Sequence, residues 1–299
     1  MNAMDKLFIC ALLGVLAAFP SCGSKNKVVT ADKSVASEQF EPDVRFASID
    51  SLVDFMTEGW SDETIQGFVD RYDAQQEAIK SYWYLNHKGE DNSRMGKTVF
   101  SDLEAMADSL SGGSTFDMML CGRINCAMNR YFTAKEYSEN HKDNTLYQNE
   151  MRDWLVLEKE LGEFYVDVAY LANWGGSIAH IISSGTLADF AETRQKDYSQ
   201  LKRGGHFASS PMTIAEAREN LIQELADAKS LEADDDMYDA ADFEGQLKQM
   251  REQADKVVVA LDKWLVSRAK LCEAEGIPES HTAHLIELMS DEIIRLIEA

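Results

Sequence analysis

The stretch from Trp154 to Leu171, WLVLEKELGEFYVDVAYL, decides the fold. Trp154, Leu157, Leu161, Phe164, Val168 and Leu171 recur three or four residues apart. That spacing lines up one face of an α-helix, whereas a strand would scatter the same residues over both of its faces. The same rhythm runs outward in both directions. Upstream, Leu52, Val53, Phe55 and Met56 form a short stripe, followed by Ile65, Phe68, Val69, Tyr72 and Ile79, then Leu103, Met106 and Leu110. Downstream, Leu247, Met250, Ala254, Val257, Leu261, Trp264, Leu265, Arg268 and Leu271 lie on or beside one stripe. Leu285, Leu288, Ile293, Leu296 and Ile297 close the chain. No run alternates like a strand for more than a few residues. Proline occurs only four times in 299 residues, where average usage would give roughly fifteen. The fold class expected is all-α, a multi-helix bundle.

Breakers divide the stripes. Gly89–Gly96, Ser111–Ser114, Gly175–Gly176 and Gly276–Pro278 read as turns. The segment KRGGHFASSP, 202–211, is the best domain boundary, and Thr213 with Glu216 three residues on has the form of a capping box. These marks predict roughly seven or eight helices. They also predict a helical domain over 49–205 and a smaller helical domain over 212–299, as two related helical units in tandem.

The chain opens MNAMDKLFICALLGVLAAFPSC. The apolar run from Leu7 to Phe19 is shorter than the roughly 20 residues of a membrane-spanning helix. Lys6 before it and Ser21 after it make it a secretory signal. Cys22 directly after Ser21 resembles a bacterial lipobox, with Phe19 and Pro20 departing from the usual pattern. Signals of this loose type resemble those of Bacteroidetes lipoproteins. The expected organisation is a lipoprotein signal over 1–21, lipidation at Cys22 and a flexible tether over 22–48. An ordinary signal peptide leaving Cys22 a free thiol is the alternative. Gly23 rather than Asp, with no acidic run after Cys22, points to a periplasm-facing outer-membrane lipoprotein, with the cell surface as the other destination.

Basic residues number 29 and acidic residues 52, a formal net charge of −23. Phosphate binding needs clustered Lys and Arg, so nucleic acid is excluded as a partner. A polybasic hold on anionic lipid is excluded too, which leaves the lipid anchor as the membrane contact. Asp5 and Lys6 cancel within the signal, so its removal leaves −23 in place.

Two segments 110 residues apart overlay: DWLV, 153–156, and KWLV, 263–266. In the second, Trp264, Arg268 and Cys272 stand at i, i+4 and i+8 and share one helical face. In the first, Glu158 and Gly162 occupy the corresponding positions. This W-x-x-x-R-x-x-x-C pattern resembles the LprI-like lysozyme-inhibitor family of bacterial envelope domains. In that family such a helix leads to a Gly-Gly-Ser turn and a second helix carrying Cys and Arg. Here Trp174, Gly175, Gly176 and Ser177 are followed by Leu187, Phe190, Arg194 and Leu201. The resemblance covers about residues 140–205 with a shorter patch at 255–298, and it lacks the family's paired cysteines in the first stretch. Trp83, Gly112–Ser114, Cys121 and Arg130 form a fainter third echo. The resemblance implies a non-catalytic domain that captures a basic muramidase. It makes Trp174, Gly175, Gly176 and Ser177 candidate partner-binding residues and Trp154, Arg194, Trp264, Arg268 and Cys272 a structural signature. The plain alternative is that both tryptophans are core anchors of unrelated helices.

Other chemistry is thinly supported. Once Cys10 goes with the signal and Cys22 to lipid, Cys121, Cys126 and Cys272 remain, an odd set whose pairing the sequence leaves open. His281 and His284, with Glu287 and Asp291, are weak candidates for a metal site; the alternative is a solvated first helical turn. The Asp run 234–236 lacks the glycine and ligand spacing of an EF-hand loop. Ser183 and Ser184 near His180 lie on no nucleophile elbow. No cofactor fingerprint occurs. The expected function is therefore a non-enzymatic, lipid-anchored binding protein for a cationic protein partner. The alternative is a structural or adaptor lipoprotein docking on another envelope protein through its helical faces.

Overall fold

The computed structural model describes residues 40–58, 64–173, 176–203, 207–231 and 240–298. Among them the chain forms nine α-helices and no strand. These are α1 (Ile49–Thr57), α2 (Ile65–Asn86), α3 (Met95–Leu110), α4 (Thr115–Asn140), α5 (Thr145–Ala172), α6 (Ser177–Arg203), α7 (Ile214–Ala228), α8 (Ala240–Glu275) and α9 (Glu279–Glu298). The protein is all-α. The expected lipobox, the expected tether up to Gln39 and the Asp run lie outside the described residues.

Helix starts follow from side chains that satisfy the first free backbone N–H groups. Ser48, Thr64 and Asn144 cap α1, α2 and α5. Ser114 with Asp117 and Thr213 with Glu216 form reciprocal capping boxes on α4 and α7. The α8–α9 junction turns on Gly276, whose φ of 69° is left-handed. Ile277 N–H then reaches back to the Cys272 carbonyl at 3.0 Å, closing the end of α8. This reversal returns the start of α9 to the last turns of α8.

Three helix pairs carry most of the packing: α4 with α6, α5 with α8, and α7 with α9. The α5–α8 pair is antiparallel. Trp264 meets Glu150, Gln253 meets Glu160 and Gln246 meets Asp167, one number falling as the other rises. The α4–α6 pair runs parallel, with Gly122 beside Ser184 and, further along, Arg130 and Thr133 beside Ala191 and Arg194. At Gly122 the helices come so close that a Cβ there would lie 2.8–2.9 Å from Ser184 atoms, backbone included.

Two hydrophobic cores result. The first gathers Leu52, Met56, Phe68, Trp83, Leu103, Ile124 and Tyr137. The second gathers Leu161, Phe164, Leu221, Met250, Leu261, Met289 and Ile293. Their seam does not fall at 202–211. It crosses α5, which gives Tyr147, Met151 and Leu155 to the first core and Trp154, Leu157 and Leu161 to the second. Likewise α6 places Tyr198 in the first and Phe190 in the second, and Leu271 and Cys272 of α8 belong to the first. Residues 41–299 are one compact unit. The physical reason is that α5 is 28 residues long and apolar on more than one side, so one helix can serve both cores.

Candidate functional site

The signature residues meet at this seam. Trp154 of α5 and Trp264 of α8 stand edge to face, ring centroids 5.4 Å apart. The Arg194 guanidinium lies 4.2 Å from the Trp154 ring centroid and 4.3 Å from that of Tyr198. Arg268 lies one helical turn from Trp264, and its guanidinium is 5.9 Å from that ring. The two tryptophans are neighbours, yet their environments differ. Trp264 donates its indole N–H to Glu150 Oε1 at 2.8 Å, while Trp154 stacks on Phe190.

Around these rings sits a closed ionic network. Glu150, Arg194, Asp197, Arg268 and His281 are all fully buried or nearly so. Arg194 grips Glu150 with both ends of its fork, at 2.9 and 2.6 Å, and also donates to Asp197 Oδ2 at 2.9 Å. Arg268 forks onto Asp197 at 3.0 and 2.7 Å. The two bidentate pairs, Arg194–Glu150 and Arg268–Asp197, are joined by the single Arg194–Asp197 bond, and such forked contacts are where guanidinium geometry counts most. Tyr198 donates to Glu150 Oε2 at 3.3 Å, and the Arg268 Nε–H reaches Thr282 Oγ1 at 3.5 Å. His281 faces acceptors on both sides, with Nε2 2.9 Å from Asp197 Oδ1 and Nδ1 2.9 Å from the Ala208 carbonyl. It thereby ties the α6–α7 connection to α6, helped by the Ser210 N–H bond to the Ser280 carbonyl at 3.0 Å.

The electrostatics follow from this crowding. Burial by itself would push the Asp197 carboxyl up; the nearby Arg268, the His281 hydrogen bond and Arg194 outweigh it and hold the group well below the usual carboxylate range. Burial pushes the Tyr198 hydroxyl far up, with the Glu150 charge adding to it. Burial also raises the Cys272 thiol.

Several expectations change here. His281 is not on a solvated turn: it points inward onto Asp197, because the Gly276 reversal turns the start of α9 toward the network. His284, three residues on, is partly exposed and lies 3.7 Å from Glu287. The two imidazoles therefore face different surroundings, and no group of three metal-ligating side chains occurs among the described residues. Cys121, Cys126 and Cys272 are each unbridged. Cys272 rests against Thr282, 3.5 Å away, and Glu158, opposite Arg268 in the internal overlay, pairs with Arg130 at 2.9 Å. Of the candidate turn residues, Trp174 and Gly175 lie outside the described residues, Gly176 precedes α6, and Ser177 is its first residue. Glu150 and Asp197 were not singled out in the sequence. Glu150 stands one turn before Trp154 on the apolar stripe, and that misplaced carboxylate was the signal available. Family models, curated proteins and solved structures were compared with the chain, and none matches.

What the network can do chemically is limited by its closure. Asp197 has both oxygens engaged and Glu150 likewise, so neither carboxylate is presented to solvent as an acid or base. Its role is to register four helices, α5, α6, α8 and α9, against one another.

Proposed function

We propose that this chain is a lipid-anchored, non-enzymatic envelope protein that captures a cationic protein, a basic lysozyme-like muramidase being the sharpest candidate. The observation that carries it is where the charge lies. In the buried network two acids are matched by two arginines, so the acidic excess of the chain lies outside it. A field of that sign speeds encounter with a basic enzyme and makes binding strongly salt-dependent. The Trp–Arg–Cys pattern, with its resemblance to lysozyme-inhibitor domains, supports the choice of partner. The assay is suppression of lysozyme-driven lysis of cell walls by the purified protein at low salt. Suppression that fades with added salt is expected, and no suppression at micromolar protein would end this reading.

The adaptor alternative has one observation in its favour. Val259 and Val266, seven residues apart on α8, are 58% and 60% exposed, a small apolar stripe of the kind a partner helix covers. Retention of a specific envelope protein by the wild type and its loss with Val259→Glu/Val266→Glu would favour that reading over the first.

A further inference from the structure

Beside the ionic network lies a cavity of about 10 Å³, lined by Phe68, Arg130, Thr133, Trp154, Glu158 and Arg194 among others. A space of that size is at the lower end of what holds one water molecule. Trp154 and Arg194 both line it, both are nearly fully buried, and each carries a donor with no acceptor among the described residues: the Trp154 indole Nε1–H and the Arg194 Nε–H. Buried donors left unsatisfied are rare and costly. The same wall carries groups that accept, the Glu158 carboxylate and the Thr133 hydroxyl.

We propose that this cavity is a binding site for a single ordered water, which accepts from Trp154 Nε1–H and Arg194 Nε–H and donates toward Glu158 and Thr133. Four polar neighbours fit the two to four partners of a typical buried water. Charge selects water over an anion. Arg130, Arg194 and Arg268 are matched by Glu158, Glu150 and Asp197, so a halide would add an uncompensated charge beside a carboxylate. The position also gives the water a function. Phe68, Met151 and Leu155 of the first core and Trp154 of the second border the same space, so the water closes the polar seam between the cores where no side chain reaches.

The test uses the indole N–H signals of the purified, ¹⁵N-labelled protein, five in number, with Trp154 assigned by its loss in Trp154→Phe. A nuclear Overhauser cross-peak to a long-lived water is expected at Trp154, and none at Trp264, whose indole donates to Glu150. A crystal structure of the same protein, with crystals soaked in bromide, supplies the second measurement. Expected is one light-atom density peak within about 3.2 Å of both nitrogens, with no anomalous signal. Absence of the cross-peak and of the density would overturn the site. An anomalous bromide peak in the cavity would overturn water as its occupant.

Discussion

Replacing Asp197 by Asn probes the network at its most connected point. The side chain keeps its shape but loses its charge, and its new NH2 group must face the N–H groups of Arg268, Arg194 or His281, all of which now meet an oxygen. The one negative charge left beside Arg268 in the network is then Glu150, at a longer 3.5 Å. Breaking a buried pair by neutralising one partner costs about 3–5 kcal/mol, because the other charge stays buried. Against a total stability of about 5–15 kcal/mol that is a large share. With about 2–4 °C per kcal/mol for a chain of this size, the melting midpoint should fall by roughly 6–20 °C. The assay is thermal unfolding followed by circular dichroism at pH 7. A midpoint within about 2 °C of the wild type, under ~1 kcal/mol, would refute the reasoning. A second variant separates charge from packing. Asp197→Leu with Arg268→Met removes both members of one pair while Glu150 and Arg194 still grip each other, so the loss should be smaller than the sum of the single changes. Additive losses would mean that the shape of the site, not its charge balance, sets the cost.

The same aspartate makes an acid-side prediction. Its folded value lies below the unfolded one of about 3.9, so its stabilisation is complete above that pH and drains away as pH falls toward the depressed folded value; urea midpoints measured downward from pH 5 should drop less steeply in Asp197→Asn than in the wild type. Gly122→Ala places a Cβ against the Ser184 backbone and should cost about 1–3 kcal/mol in urea unfolding, whereas Gly185→Ala on the facing helix meets nothing within 4 Å and should be neutral or stabilising by about 0.5–1 kcal/mol. Thr213→Ala removes the capping box of α7 and should cost about 1 kcal/mol by the same measurement. Cys272, buried and with its thiol raised by burial, should react with a disulfide reagent only on unfolding, as mass spectrometry of the labelled peptides would show.

Which parts were legible in the sequence follows from how local the information is. The stripe from Trp154 to Leu171 and the box at Thr213 are interactions within one or two turns of a single helix, so spacing alone exposes them. The shared face of Trp264, Arg268 and Cys272 was legible for the same reason, and all three point into the network. That Arg194 joins them is a tertiary fact; the sequence placed it in the signature only through the resemblance. Glu150 and Asp197 lie among 52 acidic residues, and nothing local marks these two as buried. His281 departs from the expected solvated turn because an ordinary polar first turn and an inward-facing one have the same sequence; the difference lies in the Gly276 reversal and in the Ala208 carbonyl that receives the ring. The expected boundary at 202–211 failed as a divide between cores because breakers mark where a helix ends, not which core its side chains enter.

Because α5 belongs to both cores, cutting the backbone between Arg203 and Phe207 should not set two pieces free. The upstream piece would carry Trp154, Phe164 and Phe190, whose neighbours include Leu261, Trp264 and Met289 of the downstream piece, along with three members of a five-membered ionic set. Each fragment alone would be an exposed half-surface prone to aggregation; mixed together they hold the two halves of one lock. The chain is thus a candidate for splitting into complementary fragments that reassemble only with each other, with charge pairing across α6 and α8 as the proofreader of the match.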